Sequence, residues 1–251
     1  MTDIHTHILP GLDDGAESLY DTLEMAAMAF ENGTTRIVAT PHCNIPDVYD
    51  NYFGERYIHA FETARRAIEK EKIPVELLPG MEVFATEDLP ELLTEGKIMP
   101  LNQTRNVLIE FDFAEDPRFA ERVLRRVREV GARPVIAHAE RFEFVQEDPQ
   151  IVYRWQERGY CVQVNKGSFL GRFGRRAEQT AYRLLNHNVV TAVASDAHSP
   201  ERRTTCMADA YEVLASEYPR NYLDILFDKN PALLCQGKPP VRFKKISFEG
   251  K

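Results

Sequence analysis

Seven short, β-branched runs recur along the chain, separated by longer stretches with helical spacing, and this alternation most restricts what the chain can fold into. The runs cover residues 3–5, 36–40, 75–83, 107–111, 134–137, 160–164 and 189–194. Helical spacing is read over 17–32, 55–72, 118–130, 175–186 and 204–217, with a shorter stretch near 222–227. Strands alternating with helices are the pattern of βα units, in which a parallel sheet is covered by the helices that connect its strands. In the first helix Leu19, Leu23, Ala26, Ala27 and Phe30 would share a face, with Asn32-Gly33 closing it; in the second, Tyr57, Phe61, Ala64 and Ile68 would do so.

Composition adds bounds rather than detail. A chain of 251 residues with 43% hydrophobic and 28% charged residues has enough apolar surface to offset chain entropy, and a barrel of βα units can use that whole length as one domain, 1–251. No repeat or low-complexity linker interrupts it; the stretch 237–251, with Pro239-Pro240, reads as an extended tail. The net charge of −8 disfavours a broad nucleic-acid binder. No run of 18 apolar residues occurs, so no membrane insertion is expected, and MTDIHTHILPGLDDG lacks the basic and apolar regions of a signal peptide. Cys43, Cys161, Cys206 and Cys235 form no CxxC pair and read as reduced thiols of a cytoplasmic protein.

Function is signalled by where histidines and acids fall relative to the strands. The first run leads into His5-Thr6-His7, the second ends in Thr40-Pro41-His42, the third carries Glu82 and the fourth Glu110; the fifth ends in His138-Ala139-Glu140 and the seventh in Ser195-Asp196-Ala197-His198. In barrels of parallel strands the C-terminal edge is where chemistry is assembled. Side chains alternate faces in extended backbone, so His5 and His7 point the same way, as do Asp196 and His198, and each pair makes a chelating clip. Asp14, after a Pro-Gly turn, can fold over the same edge. The set His5, His7, Asp14, His42, Glu82, Glu110, His138, Asp196 and His198 is too large for one ion; with bridging carboxylates it suits two or three divalent metals, and its nitrogen and oxygen donors suit Mn, Fe, Co or Zn. Glu110 could instead pair with a core arginine, while His59 and His187 read as structural and Cys43 as packing. Asn165, ending the sixth run, could contact a substrate or cap the following loop.

The segments DIHTHILPGLDDGAES, ATPHC, LLPGMEVF, LIEFDF, VIAHAERF and VASDAHSPERR resemble the PHP (polymerase and histidinol phosphatase) superfamily, and most closely its bacterial protein-tyrosine phosphatases of capsule and exopolysaccharide operons. The resemblance runs from Asp3 to about Leu234 and implies a single distorted TIM-like (β/α)7 barrel with three divalent metal ions, manganese first, with Fe, Co, Zn or Mg as alternatives. It implies that His5, His7, Glu82 and Asp196 hold one ion, Glu82, Glu110 and His138 a second, and Asp14, His42 and His198 a third. It also implies that Arg141, from HAER, and Arg203, five residues after the last His, hold the substrate phosphate; each could otherwise orient a carboxylate. Members usually read TPHH where this chain has His42-Cys43.

The expected reaction is metal-dependent hydrolysis of phosphotyrosine, on the tail of a bacterial tyrosine kinase controlling capsule or exopolysaccharide synthesis. A metal-activated water is the expected nucleophile. A thiol phosphatase would place Arg six positions after its Cys, and here those positions hold Tyr49, Gly167, Glu212 and Val241. Phenolate leaves readily, so a strong general acid is less necessary; Asp13 and His42 are the candidates. A small-molecule phosphomonoesterase, for example one acting on histidinol phosphate, is the alternative, since the same metal scaffold serves both. A nuclease module fits the charge poorly, and a non-catalytic binder fits poorly with nine filled ligand positions.

Overall fold

The computed structural model describes residues 1–248. Its strands are β1 (Thr2–Thr6), β2 (Arg36–Ala39), β3 (His42–Cys43), β4 (Glu76–Pro79), β5 (Glu82–Phe84), β6 (Asn106–Glu110), β7 (Arg133–Ile136), β8 (Cys161–Asn165) and β9 (Ala192–Ala194). They pair in parallel in the orders β1-β2-β4 and β3-β5-β6-β7-β8-β9. Of the seven expected runs, 75–83 is therefore split, and 36–40 is continued beyond its end by β3. Pro41, which has no N–H to give a ladder, separates β2 from β3. Gly80 and Met81 separate β4 from β5, where a Cβ on Gly80 would lie 2.7 Å from Val38 Cγ1. A parallel bridge between Thr6 and Ala197 brings the last strand beside the first; the His7 N–H donates to the Ala197 carbonyl (2.8 Å) and the Asp196 N–H to the His5 carbonyl (2.9 Å). The result is a distorted barrel of seven parallel staves.

The helices are α1 (Leu19–Glu31), α2 (Glu55–Lys70), α3 (Leu89–Thr94), α4 (Pro117–Glu129), α5 (Glu143–Glu147), α6 (Gln150–Glu157), α7 (Lys166–Phe169), α8 (Arg175–Asn186), α9 (Ala208–Ala215), α10 (Arg220–Asp224) and α11 (Asn230–Cys235). A capping box of Ser18 and Asp21 starts α1, and Asp116 with Pro117 starts α4. The buried face of α1 differs from the expected one: Thr22, Met25, Ala26 and Ala29 are buried, Leu19, Leu23 and Ala27 half-buried, and Phe30 exposed. The Thr22 hydroxyl donates to the Ile8 carbonyl (2.8 Å), which turns the helix by about one position. In α2 Ala60 takes the buried place assigned to Phe61. Between 204 and 217 the helix is confined to Ala208–Ala215, and the stretch near 222–227 is the end of α10 running into a π-helical turn over Ile225–Lys229.

The interior positions the site. One apolar cluster takes Ile4, Val38, Leu78, Leu108, Val135, Cys161 and Ala192 from the seven staves and is closed by Leu101, Leu234 and Cys235. Two residues along the same strand face the same way. Glu110 follows Leu108, Gln163 follows Cys161 and Asp196 follows Ala194, so a polar layer stands directly above an apolar floor. The described part of the tail packs on the body: Phe248 stacks on His187 (3.8 Å between centroids), Phe243 meets Tyr222 edge-on, and Asn230 bonds both backbone groups of Val241. Residues 249–251 of the expected tail lie outside the described residues.

Candidate metal centre

All nine candidate ligands meet at the C-terminal rim. His5 and His7 bring their Nε2 atoms within 3.3 Å of each other. Glu82 is the hub: Oε2 lies 3.1 Å from His5 Nε2, 3.2 Å from His7 Nε2 and 3.1 Å from His42 Nδ1, while Oε1 lies 2.8 Å from His138 Nε2. Glu110 pairs with no arginine; its oxygens lie 2.8 Å from His42 Nδ1 and 3.7 Å from His138 Nε2. Asp196 Oδ1 is 3.4 Å from His5 and 3.6 Å from His198, and Asp14 Oδ1 is 3.5 Å from His198 and 3.6 Å from His42. Three sets have donor atoms clustered closely enough for one ion: His5, His7, Glu82 and Asp196; His7, Asp14, His42 and His198; and His42, Glu82 and Glu110. His138 reaches the third set through both carboxylates.

Electrostatics show how tightly these groups are coupled. Burial disfavours charge on His138, but the Glu110 and Glu82 carboxylates outweigh it and push the imidazole up to about 10. Burial likewise opposes ionisation of Asp196, yet His5 and Arg203 hold it well below the usual carboxylate range. Four buried ligand atoms, His42 Nδ1, Glu82 Oε2, Glu110 Oε1 and His198 Nε2, face one another or Asp14 at ion-pair distance but form no aligned hydrogen bond. Buried polar atoms are normally satisfied, and four such atoms of metal-ligating type converging on one another fit divalent cations. The donor set, imidazole and carboxylate without thiolate, fits the same class of ion.

The backbone is strained at two of these residues: His138 has φ 28° and Asp196 φ 51°, a region that non-glycine residues seldom occupy. Surrounding groups hold them there. Gln163 accepts the His138 N–H (2.9 Å), lies 3.1 Å from His5 Nδ1 and donates to Asn165 Oδ1 (2.8 Å). Asn165 donates to Asp196 Oδ2 (2.6 Å); its side chain makes no cap bond at α7 and acts on a carboxylate instead, a role the strand-end position alone did not suggest. Asp13 accepts from the His42 N–H (2.8 Å) and faces His7 Nδ1 (2.7 Å), and His7 holds its carboxyl below the usual range against its burial, which places it to orient the imidazole. Gly15 makes this turn possible, since a Cβ there would lie 2.2 Å from the His7 carbonyl oxygen.

A cleft of about 280 Å³ opens onto the cluster, lined by Glu82, Glu110, His138 and Asp196 and rimmed by Ile45, Phe84 and Phe113. Arg141 and Arg203 both line it and both contact Asp196. Arg141 lies between the Phe113 and Phe173 rings, 4.4 Å from each centroid. The four cysteines are free thiols; burial pushes Cys43 and Cys235 up to about 12 and Cys161 to about 11, which leaves no activated thiolate among these three. Cys43 is buried in the main apolar cluster, outside all three donor sets.

The family model for capsular polysaccharide synthesis, CpsB/CapC, matches residues 1–236. The chain belongs to the CpsB/CapC family. It is 36% identical over 252 residues to the tyrosine-protein phosphatase YwqE of Bacillus subtilis, covering 98% of each chain. It is 29% identical over 238 residues to the tyrosine-protein phosphatase CpsB of Streptococcus pneumoniae, covering 92% of this chain and 96% of that one. A crystal structure from work on these two proteins, described as unique metal-dependent tyrosine phosphatases, superposes with a TM-score of 0.92 at 35% identity over the whole of both chains. A lactonase from Listeria monocytogenes shares the fold alone, at TM-score 0.54 and 13% identity over 97% of this chain and 95% of that one. The CpsB/CapC match ends at residue 236, where the barrel ends and the tail begins.

Proposed function

We propose that the chain is a metal-dependent protein-tyrosine phosphatase that dephosphorylates the tail of a tyrosine kinase in capsule or exopolysaccharide synthesis, with residues 1–251 forming one cytoplasmic catalytic unit. The observation that carries the chemistry is the convergence of nine nitrogen and oxygen donor residues in one cluster, onto which a cleft lined by two arginines opens. The names of the relatives support the substrate class.

His5, His7, Glu82 and Asp196 would hold one ion, Glu82, Glu110 and His138 a second, and Asp14, His42 and His198 a third, with manganese the expected metal. Divalent ions there supply charge and Lewis acidity to a phosphoryl group and acidify water. The protein's part is positioning. Gln163, Asn165 and Asp13 fix the orientation of His5, Asp196 and His7, which keeps the donors from collapsing onto one another. Arg141 and Arg203 each carry five N–H donors, more than their contacts with Asp196 use, and hold phosphate oxygens by forked bonds. The Phe113 and Phe173 rings keep the Arg141 guanidinium in its plane. Ile45, Phe84 and Phe113 form an apolar rim for the phenyl ring of the substrate.

The test is turnover of a phosphotyrosine peptide against histidinol phosphate, with and without added manganese. Preference for the peptide and dependence on metal are expected. Greater turnover of histidinol phosphate would replace the substrate assignment, and full activity after exhaustive chelation would remove the metal mechanism.

A further inference from the structure

At the opposite end of the barrel, below the N-terminal ends of β6, β7 and β8, lies a second pocket of about 350 Å³. Arg105, Arg128, Arg133 and Arg242 line it, together with Tyr160 and the Pro239-Pro240 pair of the tail. Among the described residues, no acidic side chain lines it. The side chains of Arg105 and Arg128 have no hydrogen-bond or ion-pair partner among the described residues. Arg133 donates only to the Lys238 carbonyl (3.2 Å), and Arg242 to the carbonyls of Gln156 and Tyr160. By contrast, Arg122 and Arg126 pair with Glu87, Arg154 with Asp148 and Arg220 with Glu212.

We propose that this pocket binds a small organic diphosphate, such as a nucleoside diphosphate, at a site separate from the metal centre. Four guanidiniums without a carboxylate, in a chain whose net charge is −8, repel one another unless an anion sits between them. Arg133 shows the strain: partial burial and its cationic neighbours depress its affinity for a proton. Planar guanidiniums match phosphate oxygens in geometry as well as in charge. Two phosphate groups carry the charge that four arginines can take, and the volume lies within the usual ligand-pocket range of roughly 300–1,000 Å³. Pro239 and Pro240 offer an apolar wall for the organic part. Because Arg105 and Arg133 belong to the barrel and Arg242 to the tail, the bound anion would tie the tail to the body.

The experiment is calorimetric titration of ADP, with inorganic pyrophosphate as a second arm, into manganese-loaded protein at constant free metal and low salt. Binding of either anion is expected to survive Arg203→Ala, and to weaken by about tenfold or more in Arg105→Gln and further in Arg105→Gln/Arg242→Gln. Turnover of a phosphotyrosine peptide should be unchanged in Arg105→Gln, which reports that the variant is folded. Binding that is lost in Arg203→Ala and kept in the arginine-pocket variants would place the anion at the metal centre and overturn the proposal. Absence of saturable binding, or capture by vesicles of anionic phospholipid without binding of either free anion, would overturn it too.

Discussion

The two ends of the barrel are built on opposite principles. At the C-terminal rim, charged and polar groups are buried, four ligand atoms lack an aligned hydrogen bond, and the backbone is strained at His138 and Asp196. At the N-terminal rim the charges that line the pocket are guanidiniums on the surface, and the left-handed turns fall on Gly131 and Gly159 and on Lys72, Asn102, Gln103 and Asn188, none of them a candidate ligand. Strain and unsatisfied donors cost stability and persist only where the surroundings over-determine them. Here the over-determination is visible as the bonds from Gln163, Asn165 and Asp13. The comparison teaches that one end spends folding free energy on arranging ligands, while the other leaves ordinary structure around a patch of uncompensated charge.

The sharpest way to break the contrast is to remove the metal. Exhaustive chelation should lower phosphatase activity to background and lower the thermal midpoint, with both recovered on adding manganese; a midpoint that does not move would mean that the rim does not need ions to be stable. Next, His138→Ala should lose activity and bound-metal stoichiometry together, whereas Arg141→Ala should lower kcat/KM by roughly 100- to 1,000-fold with metal content intact. Metal analysis beside steady-state kinetics separates the two, and Arg141→Ala with unchanged kinetics would take that residue out of the phosphate site. A smaller effect is expected from Asn165→Leu, which frees Asp196 from its donor: metal affinity should fall by about 10- to 100-fold. Metal titration checks it, and an unchanged affinity would show that packing alone aims Asp196. Smaller still is Gly15→Ala, where the new methyl group meets the His7 carbonyl and should cost about 1–3 kcal/mol in denaturant unfolding.

Much of this was legible in residue order. Every stave and the five longer helices fell within a few residues of the expected places, because β-branched runs and helical spacing report burial over many positions. The elements passed over were α3, α5, α6, α7 and α11, of four to eight residues, too short to show a period. The histidines and acids that gather at the rim are legible in the sequence, since strand ends mark the C-terminal edge of a parallel barrel. Gln163, and the bond from Asn165 to Asp196, carry no sequence signal, because an amide in a strand has no distinguishing pattern until its neighbour across the barrel is known. Lys166 was missed for the same reason: it is buried against Asp209, forty-three residues away.

What the sequence determined by itself was the number of staves, the end at which chemistry would lie, and the chemical type of each ligand; these depend on local periodicity and residue identity. What only the tertiary structure decided was which donors share an atom's-width space, that Glu82 is their hub, that Asp196 is gripped by Asn165 and two arginines, and that four arginines with no acid between them meet around Pro239 and Pro240. Those are distances between residues far apart in the chain, and they are set by barrel closure and register, which no local pattern encodes.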